Sequence, residues 1–364
     1  MNIAIIGLSN SGKTTVFNAL TGLNIETHPY PSLSGEPHKG VVKVPDMRLN
    51  KLSEIFKPKK TTNATIEYID FIGLTKGEID QNKKVFDVIK DADALLQVVR
   101  VFKDDKVFHP FGNIDALRDI ETVDFELIFG DLELIEKRLN KIDYDIKRGK
   151  KPDESEKKLL LKCKNFLEKE IPLSEIQFSK EEKMTMKHLQ FLSLKSEIIV
   201  LNISEDYLNT DKIKKLEEHI KKYLENKNRK KVSILSICGK LEMELSQLLP
   251  EEAQLFFNDL GIKEPALNKL VRMSYYILDL ISFFTYTGNE LRAWSIRKGA
   301  TAQESAGKIH SDIERGFIRA EVISYEDFIK VGNIHAARDK GLLRLEGKTY
   351  EVKDGDIIYF RFNI

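Results

Sequence analysis

Two cysteines in 364 residues are too few for a disulfide framework. Cys163 and Cys238 stand far apart without metal-ligand spacing, so no zinc site is indicated and a reducing cytoplasm is expected. The chain also lacks any apolar run of the roughly 18 residues needed to cross a bilayer, so no membrane partner is expected. Its apolar start, Met1-Asn2-Ile3-Ala4-Ile5-Ile6, breaks at Gly7, too early for a secretory signal, and is read as a buried strand. Net charge is nearly missing: 58 basic against 57 acidic residues leave +1. Bulk charge therefore gives no pull toward nucleic acid, no DNA sequence specificity is expected, and any polyanion contact must come from a local patch. What is present, 41% hydrophobic and 32% charged residues, suits a folded, soluble chain long enough for two or three domains. Three are expected.

Short apolar runs at 3–6, 64–70, 94–101, 198–202 and 232–237 have strand length and alternate with helix-like segments, the pattern of a mostly parallel sheet covered on both faces. After about Thr122 the alternation stops. Ile128, Leu132, Ile135, Leu139, Ile142 and Ile146 then recur at steps of four and three, a coiled-coil seam. Arg148-Gly149-Lys150-Lys151-Pro152 breaks that helix, and Asp153 with Glu156 reads as a capping box opening a return helix that turns Leu159, Cys163 and Phe166 toward the first. A further helix is expected from Ser179, with Glu182 three positions on. The fold class is thus α/β, with an α-helical hairpin at 123–195 inserted in a nucleotide-binding domain of residues 1–122 and 196–280. The hairpin is either a spacer or a contact arm tipped with Lys147, Arg148, Lys150 and Lys151. From 281 to 364 short strands at 291–296, 317–323 and 357–362 enclose a helix starting near Thr301, a small α+β module.

Gly7-Leu8-Ser9-Asn10-Ser11-Gly12-Lys13-Thr14 follows the first strand directly and leads into a helix-like run from Thr15, the complete phosphate-binding P-loop in its required setting. Exposed amides at the helix N-terminus, including those of Ser11, Gly12 and Thr15, favour phosphate. Lys13 would bridge the outer phosphates as a binding and catalytic group, and the Thr14 hydroxyl would ligate Mg2+. Asp70-Phe71-Ile72-Gly73 closes the strand at 64–70. After a P-loop, that pattern places Asp70 on the metal through water and the Gly73 amide on the γ-phosphate.

With these motifs in hand, the chain resembles the YchF branch of the Obg-related GTPases, also called Obg-like ATPases. The likeness runs through Gly40-Val41-Val42-Lys43-Val44-Pro45-Asp46, Arg48-Leu49, the hairpin and Asn202-Ile203-Ser204-Glu205-Asp206. It continues in Arg292-Ala293-Trp294, Ala306-Gly307-Lys308-Ile309-His310, Phe317-Ile318-Arg319-Ala320-Glu321-Val322-Ile323 and Phe360-Arg361-Phe362. The C-terminal segments imply a TGS domain, a β-grasp module. Switch GTPases generally read guanine with the carboxylate of Asn-Lys-x-Asp. Here Glu205 sits one methylene further out and Ile203 replaces the lysine, which compromises the paired fit to guanine. The resemblance implies ATP preference, with GTP weaker. Glu205 as a mere helix cap is the other reading. Ser236, Ile237 and Cys238 are expected to complete the base pocket with Asn202.

Leu74 stands where many switch GTPases place a water-orienting glutamine. The resemblance implies that a loop histidine helps instead, which falls on His109; a structural or merely exposed histidine is the alternative. Asn10 matches an asparagine that holds K+ in related GTPases, and capping of the phosphate loop is an equal reading. Ser34 stands where a threonine usually reaches Mg2+. The shortened segment after Gly73 points to slow or partner-dependent hydrolysis. The leading expectation is an ATP-driven switch on the ribosome or its RNA. A nucleotide-binding adaptor with little hydrolysis, or a GTP-using member of the class, is the competing reading, and a metabolic P-loop kinase comes third.

Overall fold

The computed structural model describes residues 1–27, 36–151, 153–186, 188–208, 210–262 and 264–363. Its elements run β1 (Asn2–Ile6), α1 (Lys13–Thr21), β2 (His38–Lys43), α2 (Met47–Phe56), β3 (Lys60–Thr62), β4 (Thr65–Asp70), α3 (Ile79–Ile89) and β5 (Ala94–Arg100). There follow α4 (Ala116–Lys147), α5 (Glu154–Leu167), α6 (Lys180–Met186), β6 (Ser196–Asn202), α7 (Asp211–Asn226), β7 (Ser233–Ile237), α8 (Gly239–Ser246), α9 (Pro250–Asp259) and α10 (Ala266–Ile277). The chain ends through β8 (Leu280–Tyr286), β9 (Glu290–Arg297), α11 (Ala302–Ile309), α12 (Ser311–Arg315), β10 (Phe317–Ile323), α13 (Tyr325–Val331), α14 (Ile334–Asp339), β11 (Arg344–Glu346) and β12 (Ile357–Phe362). Two compact units result: Met1–Val41 with Glu67–Leu270, and Val42–Ile66 with Val271–Ile364.

The first sheet has the order β2-β4-β1-β5-β6-β7, with β4, β1, β5, β6 and β7 parallel. Every residue of β5 is buried, as a central strand covered on both faces must be. In a parallel sheet the loops that leave the strand C-termini gather at one edge, and the P-loop, the Asp70 turn and the Asn202 turn all lie there.

The seam read from the sequence is present. Ile128, Ile135 and Ile142 on α4 pack with Leu159, Leu160, Cys163 and Leu167 of α5, while Leu132 and Leu139 lie half-buried beside them. Ile146 near the tip is 39% exposed, so the apolar contact ends before the turn does. Phe166 is half-buried, and Leu167 takes the core position beside it. Asp153 caps α5 through the amides of Ser155 and Glu156, but Glu156 does not close the expected box. Its carboxylate is taken by Arg138 across the hairpin, at 2.7 and 3.0 Å, a bidentate pair stronger than a return bond to one amide. The box at Ser179 and Glu182 does form.

At its base the hairpin is closed by Asp131, buried on α4, which accepts the amides of Leu192 and Ser193 at 2.8 Å each and the Ser193 hydroxyl at 2.6 Å. Burial pushes this carboxyl up to about 6, against the three donors that favour its charge. Arg229 does similar work nearby: nearly fully buried, it pairs with Asp124 of α4 and Glu197 of β6.

The second unit is a β-grasp module. Its sheet has the order β11-β10-β12-β8-β9-β3, with β8 and β9 antiparallel, β12 parallel to β8, and β10 antiparallel to β12. Thr301 and Glu304 form the capping box that starts α11 against this sheet. The unit reaches beyond the C-terminal segment: β3 is the edge strand on β9, and Arg48 of α2 binds both Asp46 and Asp354, the latter at 2.9 and 3.1 Å. The expected nucleotide domain of 1–122 included this stretch, whereas Val42–Ile66 packs with Val271–Ile364, held there by a strand pairing and the half-buried Arg48 guanidinium. Residues 123–195 likewise form no third unit and cluster with the first.

Asp131→Ala should leave two buried amides unpaired and cost about 2–4 kcal/mol of stability in urea unfolding, with Asp131→Asn intermediate because one acceptor survives.

Candidate functional site

The P-loop geometry follows from two backbone requirements. Gly12, the N-cap of α1, has φ 91°, and a Cβ there would lie 2.1 Å from Asn202 Nδ2. Gly73 has no room for a side chain either: a Cβ would fall 2.6 Å from the Ser9 backbone and 2.8 Å from Lys13 Nζ. The Gly73 backbone is thereby brought beside the P-loop lysine. An isolated parallel bridge from Leu8 to Leu74, with Leu74 N donating to Gly7 O at 3.0 Å, fixes the two loops side by side.

Lys13 is 6% exposed and donates to the Leu8 carbonyl at 2.9 Å. Burial lowers its ammonium to about 8, although Asp70 pulls the other way. Burial also raises the Asp70 carboxyl, opposed by Lys13 and by the Thr14 hydroxyl, which donates to Asp70 Oδ2 at 2.8 Å. Asp70 Oδ1, Ser9 Oγ and Ser11 Oγ are buried without a protein partner. An orphaned carboxylate oxygen next to a threonine hydroxyl at the start of a helix is the donor set of a hard, hydrated divalent cation, so Thr14 and Asp70 fit Mg2+. Ser34 lies outside the described residues. Thr15 is half-buried in the first turn of α1.

The remaining predicted residues have mixed placements. Asn10 has φ 62° and donates to the Phe108 carbonyl at 3.0 Å, which ties the P-loop to the loop carrying His109. His109 is buried, with Nε2 3.0 Å from Asp119 Oδ2 and Nδ1 accepting the Phe111 amide at 3.2 Å. That second bond assigns the proton to Nε2. With Asp119, Leu8, Ser9 and Ser11 it lines a narrow crevice against β5 and α4, so in this state it is held by its neighbours.

The Asn202 amide is engaged by two backbone groups. Its Nδ2 donates to Ser11 O and its Oδ1 accepts the Gly239 amide, both at 3.1 Å, so it clamps the P-loop to the turn after β7. Ser236 is likewise engaged, its hydroxyl and amide both bound by Glu217. Ile203 is 3% exposed and joins the cluster under β6, while its amide donates to the Ile237 carbonyl at 2.9 Å. Cys238 is buried at the N-cap of α8, which raises its thiol. Glu205 is exposed at the head of a single 3-10 turn, free to face a base.

Sequence reading missed Arg100, Gln81, Asn82, Asp119 and Glu126. Arg100, 4% exposed at the end of β5, donates to the carbonyls of Asp104, Val107 and Phe108 and shapes the His109 loop. A charged residue closing a buried central strand whose only other polar residue is Gln97 was its available signal.

One phosphate cradle at the carboxyl edge of a parallel sheet, with the lysine and the strand-end acid brought together, places the chain among the P-loop NTPases of GTPase fold. Residues 2–142 match the family described as 50S ribosome-binding GTPase, and residues 280–363 match YchF-GTPase_C, described as a protein of unknown function. The chain is 40% identical over 367 residues to the ribosome-binding ATPase YchF of Bacillus subtilis, covering 100% of both chains. It is 38% identical to the protein of that name from Escherichia coli O157:H7, covering 99% of this chain and 98% of the other. The structure of the Schizosaccharomyces pombe YchF GTPase superposes with a TM-score of 0.82 at 27% identity, covering 99% and 97% of the two chains. This chain belongs to the YchF family.

Bound phosphate should return the Lys13 ammonium to a high value. Nucleotide affinity is then flat below about pH 8, where the free lysine is already charged, and falls above it by up to about tenfold per pH unit as binding must take up a proton. Titrations between about pH 7 and about 9.5 test this, and Lys13→Arg, which stays charged throughout, should show no such fall.

Proposed function

We propose that the chain is an ATP-preferring hydrolase, cytoplasmic, that uses its nucleotide cycle as a switch on the ribosome. The observation that carries ATP preference is the pairing of Glu205, exposed and one methylene longer than a guanine-reading aspartate, with Ile203, whose side chain is buried in the core and unavailable over the P-loop. The names of the Bacillus subtilis and Escherichia coli relatives, ribosome-binding ATPase, support both halves of the reading. The fission-yeast relative is called a GTPase, which keeps a GTP-using switch as the second reading.

Lys13 binds the outer phosphates, and the Gly73 amide beside it reports the γ-phosphate. Thr14 directly and Asp70 through water would hold Mg2+, with Ser34 the proposed third residue, and the ion would supply charge neutralisation; K+ beside Asn10 is a second ion to test. Turnover is slow without a partner. Leu74 is fully buried and has no polar group to orient a water, and His109 must leave Asp119 and Phe111 before it can orient one. An adaptor that binds nucleotide without hydrolysis is separated from a switch by single-turnover hydrolysis with and without ribosomes. A hairpin tip exposed at Lys147, Arg148, Lys150 and Lys151 is the proposed contact with ribosomal RNA. The basic run at 227–231 is a poorer candidate, since Lys227 pairs with Glu121, Arg229 is buried, and Lys231 donates to Ser174 O.

ATP should bind more tightly than GTP in direct titrations, and the double change Glu205→Asp with Ile203→Lys should move the preference toward GTP; equal affinities in the parent protein would overturn the assignment. Replacing the four tip cations with alanine should weaken ribosome cosedimentation and flatten its salt dependence, because fewer counterions are released. Unchanged binding across salt would move the contact off the hairpin.

A further inference from the structure

Helix α4 carries two carboxylates about two turns apart, and each holds one of the loops that border the phosphate end of the site. Asp119 Oδ2 holds His109 Nε2 at 3.0 Å, while its Oδ1 is fixed by Arg118 at 2.8 Å. Glu126 Oε1 accepts the Gly77 amide at 2.9 Å, and Oε2 accepts Asn82 Nδ2 at 2.7 Å. Asn82, 1% exposed on α3, closes on both backbone groups of Thr75, accepting its amide at 3.0 Å and donating to its carbonyl at 2.7 Å. Its neighbour Gln81 donates to Gly73 O and to Thr75 Oγ1, both at 3.2 Å. Residues 73–77 are thus held by side chains of α3 and α4 alike.

The same helix then leaves the sheet. Gly130 lets the Phe86 ring of α3 approach so closely that a Cβ would stand 2.9 Å from it, which seats α3 on α4. Beyond Asp131 the helix becomes one limb of the hairpin and continues to Lys147 at the exposed tip. At 1.5 Å rise per residue its 32 residues span about 48 Å without a break. A loop that needed only stability would be served by its own helix, α3. Here a second anchor sits on an element whose far end is free to be gripped.

We propose that Glu126 and Asp119 are positioning residues through which the hairpin sets the hydrolysis rate. A small axial or tilting displacement of α4 moves the anchors of residues 73–77 and of His109 together. Misplacement of reacting groups by about 1 Å is enough to change a rate about a hundredfold. The coupling is reciprocal: nucleotide that repositions Gly73 must be felt along the hairpin. The proposal rests on reading the chain as a nucleotide switch with the hairpin as its contact arm.

The test uses the full-length chain with Glu126→Ala and Glu126→Gln. Glu126→Ala should leave ATP affinity within about twofold, since the P-loop is untouched, while stimulation of turnover by ribosomes falls at least about tenfold; Glu126→Gln, which keeps an acceptor for the Gly77 amide, should recover part of it. Amide exchange gives a readout that needs no hydrolysis. In the parent, a non-hydrolysable ATP or GTP analogue, whichever binds, should alter exchange in peptides from about 132 to 160. In Glu126→Ala the analogue should still protect the P-loop but leave the hairpin unchanged. A hairpin that responds equally in both proteins, or in neither, overturns the coupling. A parent that couples by exchange yet never hydrolyses nucleotide overturns the enzymatic reading alone.

Discussion

The carboxamide of Asn202 is the interaction on which the nucleotide end of this molecule depends. With one atom on the Ser11 carbonyl and another on the Gly239 amide, it joins the P-loop to the turn after β7, and Gly12 must be glycine because that amide occupies the space of a Cβ. A buried amide satisfied at both ends is rigid. It sets the cradle before any ligand arrives, while Glu205 nearby in sequence stays exposed. Lys13 is held in the same manner, buried and bonded to the Leu8 carbonyl, with desolvation lowering its ammonium to about 8.

A second constraint is division of labour along one helix. The first turns of α4 are part of the sheet's covering layer, with Ile120, Val123 and Leu127 buried, while its last turns lie in the hairpin with only the seam covered. The change happens near Asp131, where a buried carboxylate returns the chain to the sheet. Asp131 and Arg229 tie that joint to the sheet, and the Arg138–Glu156 pair joins the two limbs of the arm beyond it.

Much of this was legible in the sequence, for identifiable reasons. The P-loop reads directly because its chemistry demands glycine, lysine and a hydroxyl at fixed spacing after a strand. The hairpin seam reads because the 3.5-residue repeat is local. Long-range polar bonds carry no such period. Asn82 and Glu126 are separated by most of α3, all of β5 and a loop, and nothing in their surroundings marks them as partners. The motif marks Asn202, but the two backbone bonds its amide makes are not in the motif, which names a residue without saying which of its neighbours will claim its hydrogen bonds. The capping box at Asp153 failed for the same reason: Arg138, on another helix, competed for Glu156 and won.

The edge strand β3 has a further consequence, for the order in which the chain acquires its structure. Residues 42–66 belong with 271–364, yet the whole of 67–270 is synthesised between them. Leu49 and Leu52, both fully buried in the finished protein, thus sit in a unit that is complete only when the last quarter of the chain has emerged. Domains ordinarily fold as they appear, amino-terminal first. Here the first sheet can assemble around a loop that is still waiting, and a chain interrupted before its C-terminal strands leaves β3 without its partner strand. Truncated products would carry their own mark for recognition by chaperones and proteases.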